Sequence, residues 1–265
     1  ANPQGITDIF SRVTGDNPSN IFGKLGVLGD ANLFLINPNG IVFGKNASLD
    51  VGGSFVASTA NGIEFGEQGV FSASNPETPR LLSVNPSALF FNAVNNQAGI
   101  RNNSVAPAGI DPAGFDAFGL RVADGKSLLL VGGNVNMNGG KLNAYGGRVE
   151  LGGLAASGSI NLLFDGDNLK LGFPENVTRA DVSLTNQAFV RVEADGGGDI
   201  AINARNLDIL QGSRLLAGIW LGLGTSETVA GDITLNATEK ITIANPTSRV
   251  YNDVTPGAVG NSGDI

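Results

Sequence analysis

A seven-residue segment recurs near the end of this 265-residue chain. Gly198-Asp199-Ile200-Ala201-Ile202-Asn203-Ala204 returns 33 residues later as Gly231-Asp232-Ile233-Thr234-Leu235-Asn236-Ala237, and Gly263-Asp264-Ile265 starts the series again after another 32. Inside each unit a second apolar-polar run follows, Leu207-Asp208-Ile209-Leu210 and Ile241-Thr242-Ile243. A third begins at a shared Ser-Arg pair, Ser213-Arg214 and Ser248-Arg249. A repeat of this length cannot bury its apolar side alone and must stack on copies of itself. Three short strands per unit describe one turn of a triangular coil, with successive turns hydrogen-bonded in parallel at about 4.8 Å. The pattern predicts Ile200, Ile202, Leu207 and Ile209 pointing inward above Ile233, Leu235, Ile241 and Ile243. Asn203 and Asn236 share one offset, where stacked amides bond along the axis or simply end strands at turns. Asp199, Asp232 and Asp264 are expected to bond their own backbone in turns.

The rest of the chain agrees with an all-β reading. Glycine fills 39 positions, about twice ordinary usage, and few segments run eight residues without Gly or Asn. Period-two alternation is read in Ser127-Leu128-Leu129-Leu130-Val131, Asn134 to Asn138, Lys141 to Tyr145 and Arg148 to Leu151. Such strands build a sandwich, a barrel or a coil, and the repeat selects the coil. At about 25 to 33 residues per rung the chain is expected to hold roughly eight to ten rungs, a rod some 40 to 50 Å long. Pro76, Pro79, Pro86, Pro107 and Pro112 interrupt residues 75 to 118, which predicts loops or a small sheet outside the column. Leu163 to Asn176 reads as a second excursion. The whole of residues 1–265 is expected to form one domain.

Composition excludes much chemistry. The chain has neither cysteine nor histidine, so disulfides, Cys/His zinc sites and histidine-based catalysis are ruled out. Sixteen basic and twenty-four acidic residues give −8. The basic residues are scattered singly along the sequence, which argues against a nucleic-acid partner. The longest nearly apolar stretch, Leu215 to Gly224, is about half a membrane span, so no stable membrane insertion is expected. Asp165 and Asp167 beside Asn168 come closest to a calcium cluster but lack the further ligands and read as a solvated turn. Trp220 reads as a packing residue rather than an exposed sugar platform. No catalytic, cofactor or metal residue is expected.

The first 60 residues carry the most specific pattern. They contain Asn2-Pro3-Gln4-Gly5-Ile6, then Ile9-Phe10-Ser11-Arg12-Val13-Thr14-Gly15, then Asn17-Pro18-Ser19-Asn20-Ile21. Ala31-Asn32-Leu33-Phe34-Leu35-Ile36-Asn37-Pro38-Asn39-Gly40-Ile41-Val42-Phe43-Gly44 and Gly52-Gly53-Ser54-Phe55-Val56-Ala57-Ser58-Thr59 follow. This resembles the N-terminal secretion domain of the filamentous haemagglutinin family, the exported partner in two-partner secretion. A looser match through Ser127 to Gly133 and Gly146 to Gly153 carries the likeness to about residue 155, and residues 156–265 read as continuing rungs. The resemblance implies a right-handed parallel β-helix with three strands per rung. It also implies a monomer recognised by the periplasmic domains of a dedicated outer-membrane transporter and exported through the periplasm to the surface or medium. The first family motif is matched only by Asn2 and Pro3. The family's cap and earlier strands are not among residues 1–265, which implies an uncovered first rung in a chain that lacks them.

Asn37-Pro38-Asn39-Gly40 is first of all a type I turn. Proline presets φ at the second position, asparagine bonds the local backbone, and glycine accepts the exit geometry. In this context Asn2, Pro3, Arg12, Asn37, Pro38, Asn39, Gly40 and Ile41 are the expected secretion-motif residues, acting by fixing an early rung. The expected function is the secretion address of a large exported adhesin, without enzymatic activity. The alternatives are a glycan- or host-surface-binding β-helix and, less supported, a polysaccharide lyase or hydrolase.

Overall fold

The computed structural model describes residues 5–75, 84–92, 98–166, 168–244 and 246–265. Asn2, Pro3, Pro76, Pro79 and Asp167 lie outside them. Parallel strands stack into a β-helix of three faces, and its winding follows directly from the registers. Rung one is Asp8–Arg12, Ser19–Ile21 and Lys24–Gly26; rung two is Asn32–Ile36, Ile41–Phe43 and Ser48–Asp50. Rung three is Phe55–Ser58, Ile100–Asn102 and Leu120–Arg121; rung four is Ser127–Gly132, Val135–Asn138 and Lys141–Asn143. Rung five is Arg148–Gly153, Val182–Thr185 and Phe189–Arg191. In rungs six and seven one long strand, Asp199–Ile209 or Ile233–Ile243, crosses the first two faces, and Arg214–Ile219 or Arg249–Val254 makes the third.

The described residues therefore make seven rungs, fewer than the eight to ten expected, and a column of about 30 Å at ordinary strand spacing. The shortfall comes from the chain spent on excursions within rungs three and five. Uninterrupted rungs are short: Ser127 pairs directly with Arg148.

The repeat stacks in the expected register, Ile200 on Ile233, Ile202 on Leu235, Leu207 on Ile241 and Ile209 on Ile243, but Ile241 and Ile243, expected to point inward, are 43% and 46% exposed. The two runs of each repeat are continuous rather than separate, bent by an irregularity between Ala204 and Asn206. Asn236 Nδ2 donates to Asn203 Oδ1 at 3.3 Å, which is the amide ladder. The aspartates differ from expectation. Asp199 Oδ1 accepts the Asp232 backbone N–H of the next rung at 2.9 Å, and Asp232 Oδ1 accepts that of Asp264 at 2.8 Å. They tie rung to rung because each begins a strand with its carboxylate beside the equivalent amide above.

One apolar cluster fills the column from Leu33 to Ile233. A second lies outside it. There the excursions meet in an antiparallel sheet ordered Asn168–Gly172, Gly158–Asp165, Ala88–Phe91, Gly62–Glu64, Val70–Ser72. Its inner residues, Ile63, Leu89, Phe91, Ile160 and Leu162 among them, cover Phe34, Ile36, Val56, Leu129 and Val131 on the outside of the first face. Ser127 to Val131 thus does not alternate: both faces are buried. A hairpin, Pro107–Ile110 with Asp116–Phe118, leaves the column separately, so the described part of residues 75 to 118 supplies sheet and loop as expected. Ile100–Asn102, inside that stretch, nevertheless belongs to the column. Trp220 packs as expected, edge-on to Phe115 of the hairpin and under the Arg191 guanidinium.

Candidate functional site

The sequence-predicted residues converge on the corner between the first two faces of rungs one and two. Strand Asn32–Ile36 buries Leu33 and Leu35 inward and Phe34 and Ile36 outward, so the chain arrives there held on both sides. It turns at Asn37-Pro38-Asn39-Gly40, closed by the Gly40 N–H donating to the Asn37 carbonyl at 3.1 Å. Asn37 Oδ1 accepts the Asn39 N–H at 3.0 Å, the local side-chain bond expected of an asparagine at this position. Gly40 sits at φ +110°, where a side chain is strained, and a Cβ there would press on the Gly99 carbonyl at 3.3 Å. Ile41 then re-enters the apolar column, fully buried.

Asn37 does more than close its own turn. It is fully buried, and its Nδ2 donates down to the Asn17 carbonyl at 3.0 Å and to Ser19 Oγ at 2.9 Å. Its backbone N–H donates up to the Ser58 carbonyl at 2.9 Å. One side chain and its amide therefore join three rungs. Asn39, half-exposed, donates through Nδ2 to the Gly15 carbonyl at 2.7 Å. Ser19 donates its N–H to the Gly40 carbonyl at 2.9 Å. The turn of rung two thus lies on that of rung one, with Thr14 to Pro18 exposed at the corner.

Arg12 ends the first strand on the same face. Its guanidinium lies 4.4 Å from the Phe71 ring centroid, and Nη1 donates to the Ser72 carbonyl at 2.9 Å. Rung one is thereby fastened to the edge strand Val70–Ser72 of the outer sheet, with Phe10 against Phe34 and Phe65 beside it. The structure brings Arg12, Asn37, Pro38, Asn39, Gly40 and Ile41 into one corner; Asn2 and Pro3 lie outside the described residues. Gly15, Asn17 and Ser19 also belong there, as the acceptors of Asn37 and Asn39. The signal for them in the sequence is the second Asn-Pro pair, Asn17-Pro18, placed one rung before Asn37-Pro38.

The bonds at this corner are structural. The corner holds amides, carbonyls, the Thr14 and Ser19 hydroxyls, the Asp16 carboxylate and the Arg12 guanidinium, and no group of three His, Cys, Asp or Glu able to hold a metal occurs among the described residues. Perturbed carboxyls lie elsewhere. Burial raises Glu150, under the outer sheet, against the opposing pull of Arg148. Burial likewise pushes Glu193 on the third face up to about 7, with Arg191 acting the other way. Both are buried structural acids beside arginines.

A search of curated proteins found no match, and neither did a search of solved structures. The model of one family, described as the TPS secretion domain, matches residues 1–202. That span takes in both stacked turns, the outer sheet and the first five rungs. Members of this family are the exported proteins of two-partner secretion, and this chain belongs to it.

Proposed function

We propose that this chain is the secretion address of a large exported adhesin, and that the periplasmic domains of its outer-membrane transporter read the corner formed by the turns at Gly15 to Pro18 and Asn37 to Gly40. The observation that carries the reading is the bonding of buried Asn37 to rungs one and three at once. A buried residue touches no partner, so Asn37, Gly40 and Ile41 act by fixing the corner's shape. Thr14 to Pro18 and the outer edges of Pro38 and Asn39 supply the contact surface. Recognition of a preorganised surface loses little ordering entropy on binding. The module works as a monomer and without catalysis.

The test is export of the parent protein carrying single substitutions. Asn37→Ala leaves the Ser19 hydroxyl and the Asn17 carbonyl without their donor and the Asn39 N–H without its acceptor, and export falls by at least about tenfold. Asn39→Ala removes the bond to Gly15 from a half-exposed side chain and lowers export without unfolding the domain. Asn236→Ala, on the far rung, leaves export unchanged. Undiminished export of both corner variants contradicts the proposal.

A further inference from the structure

Basic residues scattered along the sequence are gathered by the winding of the chain. A groove of about 560 Å³ on the third face is lined by Lys45, Lys141, Arg191 and Arg214, from rungs two, four, five and six, and by no carboxylate. Lys45 and Arg214 are exposed, and neither makes an ion pair with a described residue. Lys141 lies over Phe189 at 4.8 Å and Phe118 at 5.3 Å, and Phe189 faces the Arg191 guanidinium at 5.4 Å. Burial, and after it the charge of Arg191, holds the Lys141 ammonium below its ordinary pKa. Arg191 is paired with Glu193 at 3.1 Å and Asp111 at 3.7 Å, so the excess of one sign rests on Lys45, Lys141 and Arg214, which a chain of net charge −8 does not lead one to expect.

Two further observations fall in the same place. The side-chain oxygen of Asn103, which lines the groove, is buried and has no hydrogen-bond partner. The three non-glycine residues with positive φ among those described, Asn186, Gln187 and Gln211, cluster at its rim, linked by the Asn186 N–H to Gln211 Oε1 and the Gln187 N–H to the Gln211 carbonyl. Left-handed backbone at residues with side chains is costly and concentrates where a ligand is held.

We infer that this groove binds an acidic polysaccharide. Lys141 and Arg214 stand at one register position two rungs apart, with Lys45 at the rung-two corner, a spacing along the axis suited to the repeating carboxylates or sulfates of an extended glycan. The amides of Asn103, Asn138 and Gln187 both donate and accept, as sugar hydroxyls require. A peptide fits less well, because the third-face strands that line the groove, Lys141–Asn143, Phe189–Arg191 and Arg214–Ile219, pair with the rungs on either side and offer no edge for strand addition. The inference is independent of the export reading: the groove uses none of the residues of the stacked turns.

Affinity electrophoresis of the folded 265-residue chain in gels containing polygalacturonate, neutral dextran or poly-dT tests it. Polygalacturonate retards the protein, dextran does not, and added salt weakens the retardation. Lys45→Gln with Arg214→Gln, both at exposed side chains, weakens binding by about tenfold. Lys24→Gln with Arg101→Gln, an equal loss of charge outside the groove, changes it by less than about twofold. No retardation by polygalacturonate, equal weakening by the two double variants, or binding to poly-dT at least as tight as to polygalacturonate overturns the inference.

Discussion

The outward column on the first face changes character along the molecule. Phe10, Phe34, Val56 and Leu129 occupy it in rungs one to four, then Glu150, Ala201 and Thr234 in rungs five to seven. The backbone positions are equivalent and the strands pair in the same way, yet one end of the column is aromatic and bulky aliphatic and the other small or polar. The difference lies in what covers them. The antiparallel outer sheet encloses Phe34, Val56 and Leu129, whereas Thr234 faces solvent. A β-helix strand therefore has one obligatory apolar face, set by the column, and one optional face, set by its neighbours.

The comparison breaks most visibly by truncation at equivalent outward positions. Phe34→Ala is expected to destabilise the fold by about 3–5 kcal/mol, the range for a buried aromatic. Thr234→Ala changes stability by no more than about 0.5 kcal/mol, as for an ordinary surface site. Urea unfolding of both variants checks this; equal effects would mean that the outer sheet contributes no core.

Burial of an outward acid gives the next largest effect. The Glu193 carboxyl keeps its proton to about pH 7 when folded but loses it near 4.5 when unfolded. Its stabilising contribution is fully present below pH 4.5 and declines as pH rises toward 7, by on the order of 3 kcal/mol at about 1.4 kcal/mol per pH unit. Glu150, raised in the same direction, adds to the slope, and Glu193→Gln flattens it. Unfolding free energies at pH 5 and 7.5 for the wild type and this variant measure the difference.

Close backbone stacking follows. Gly153 lies over Gly132, and a Cβ on it would collide with the Gly132 carbonyl. Gly153→Ala is expected to lower stability by about 1–3 kcal/mol, which thermal unfolding reads directly. The smallest effect belongs to the amide ladder. Asn236→Ala removes one exposed bond to Asn203, at a cost of about 0.5 kcal/mol.

The same contrast explains what was legible in the sequence. The repeat at Gly198 and Gly231 was readable because those rungs carry no excursion and leave outward residues such as Asn203, Thr234 and Asn236 at least partly in water, so inward isoleucines alternate with small or polar residues. Its register, and the asparagine ladder, appear in the structure as the spacing implies. In the first rungs the signal is different, since Asn32 to Ile36 and Ser127 to Val131 are apolar on both faces and lose the period of two. The rung count was overestimated because the strands Gly62–Glu64, Val70–Ser72, Ala88–Phe91, Gly158–Asp165 and Asn168–Gly172 build the outer sheet instead of further turns. At the corner, Asn37-Pro38-Asn39-Gly40 is readable as a turn from its residue types. Its bonds to Gly15, Asn17 and Ser19 depend on rung registration, which no local pattern contains. The groove was invisible for the same reason: Lys45, Lys141, Arg191 and Arg214 become neighbours only after winding.

The most direct measurement is the affinity of the folded chain for the isolated periplasmic domains of its transporter, compared between the wild type, Asn39→Ala and Asn236→Ala. The stacked turns as address predict that Asn39→Ala weakens the complex by at least about tenfold while Asn236→Ala binds as the wild type does. Equal affinity of all three proteins, each confirmed as folded, would contradict the account and move recognition away from this corner.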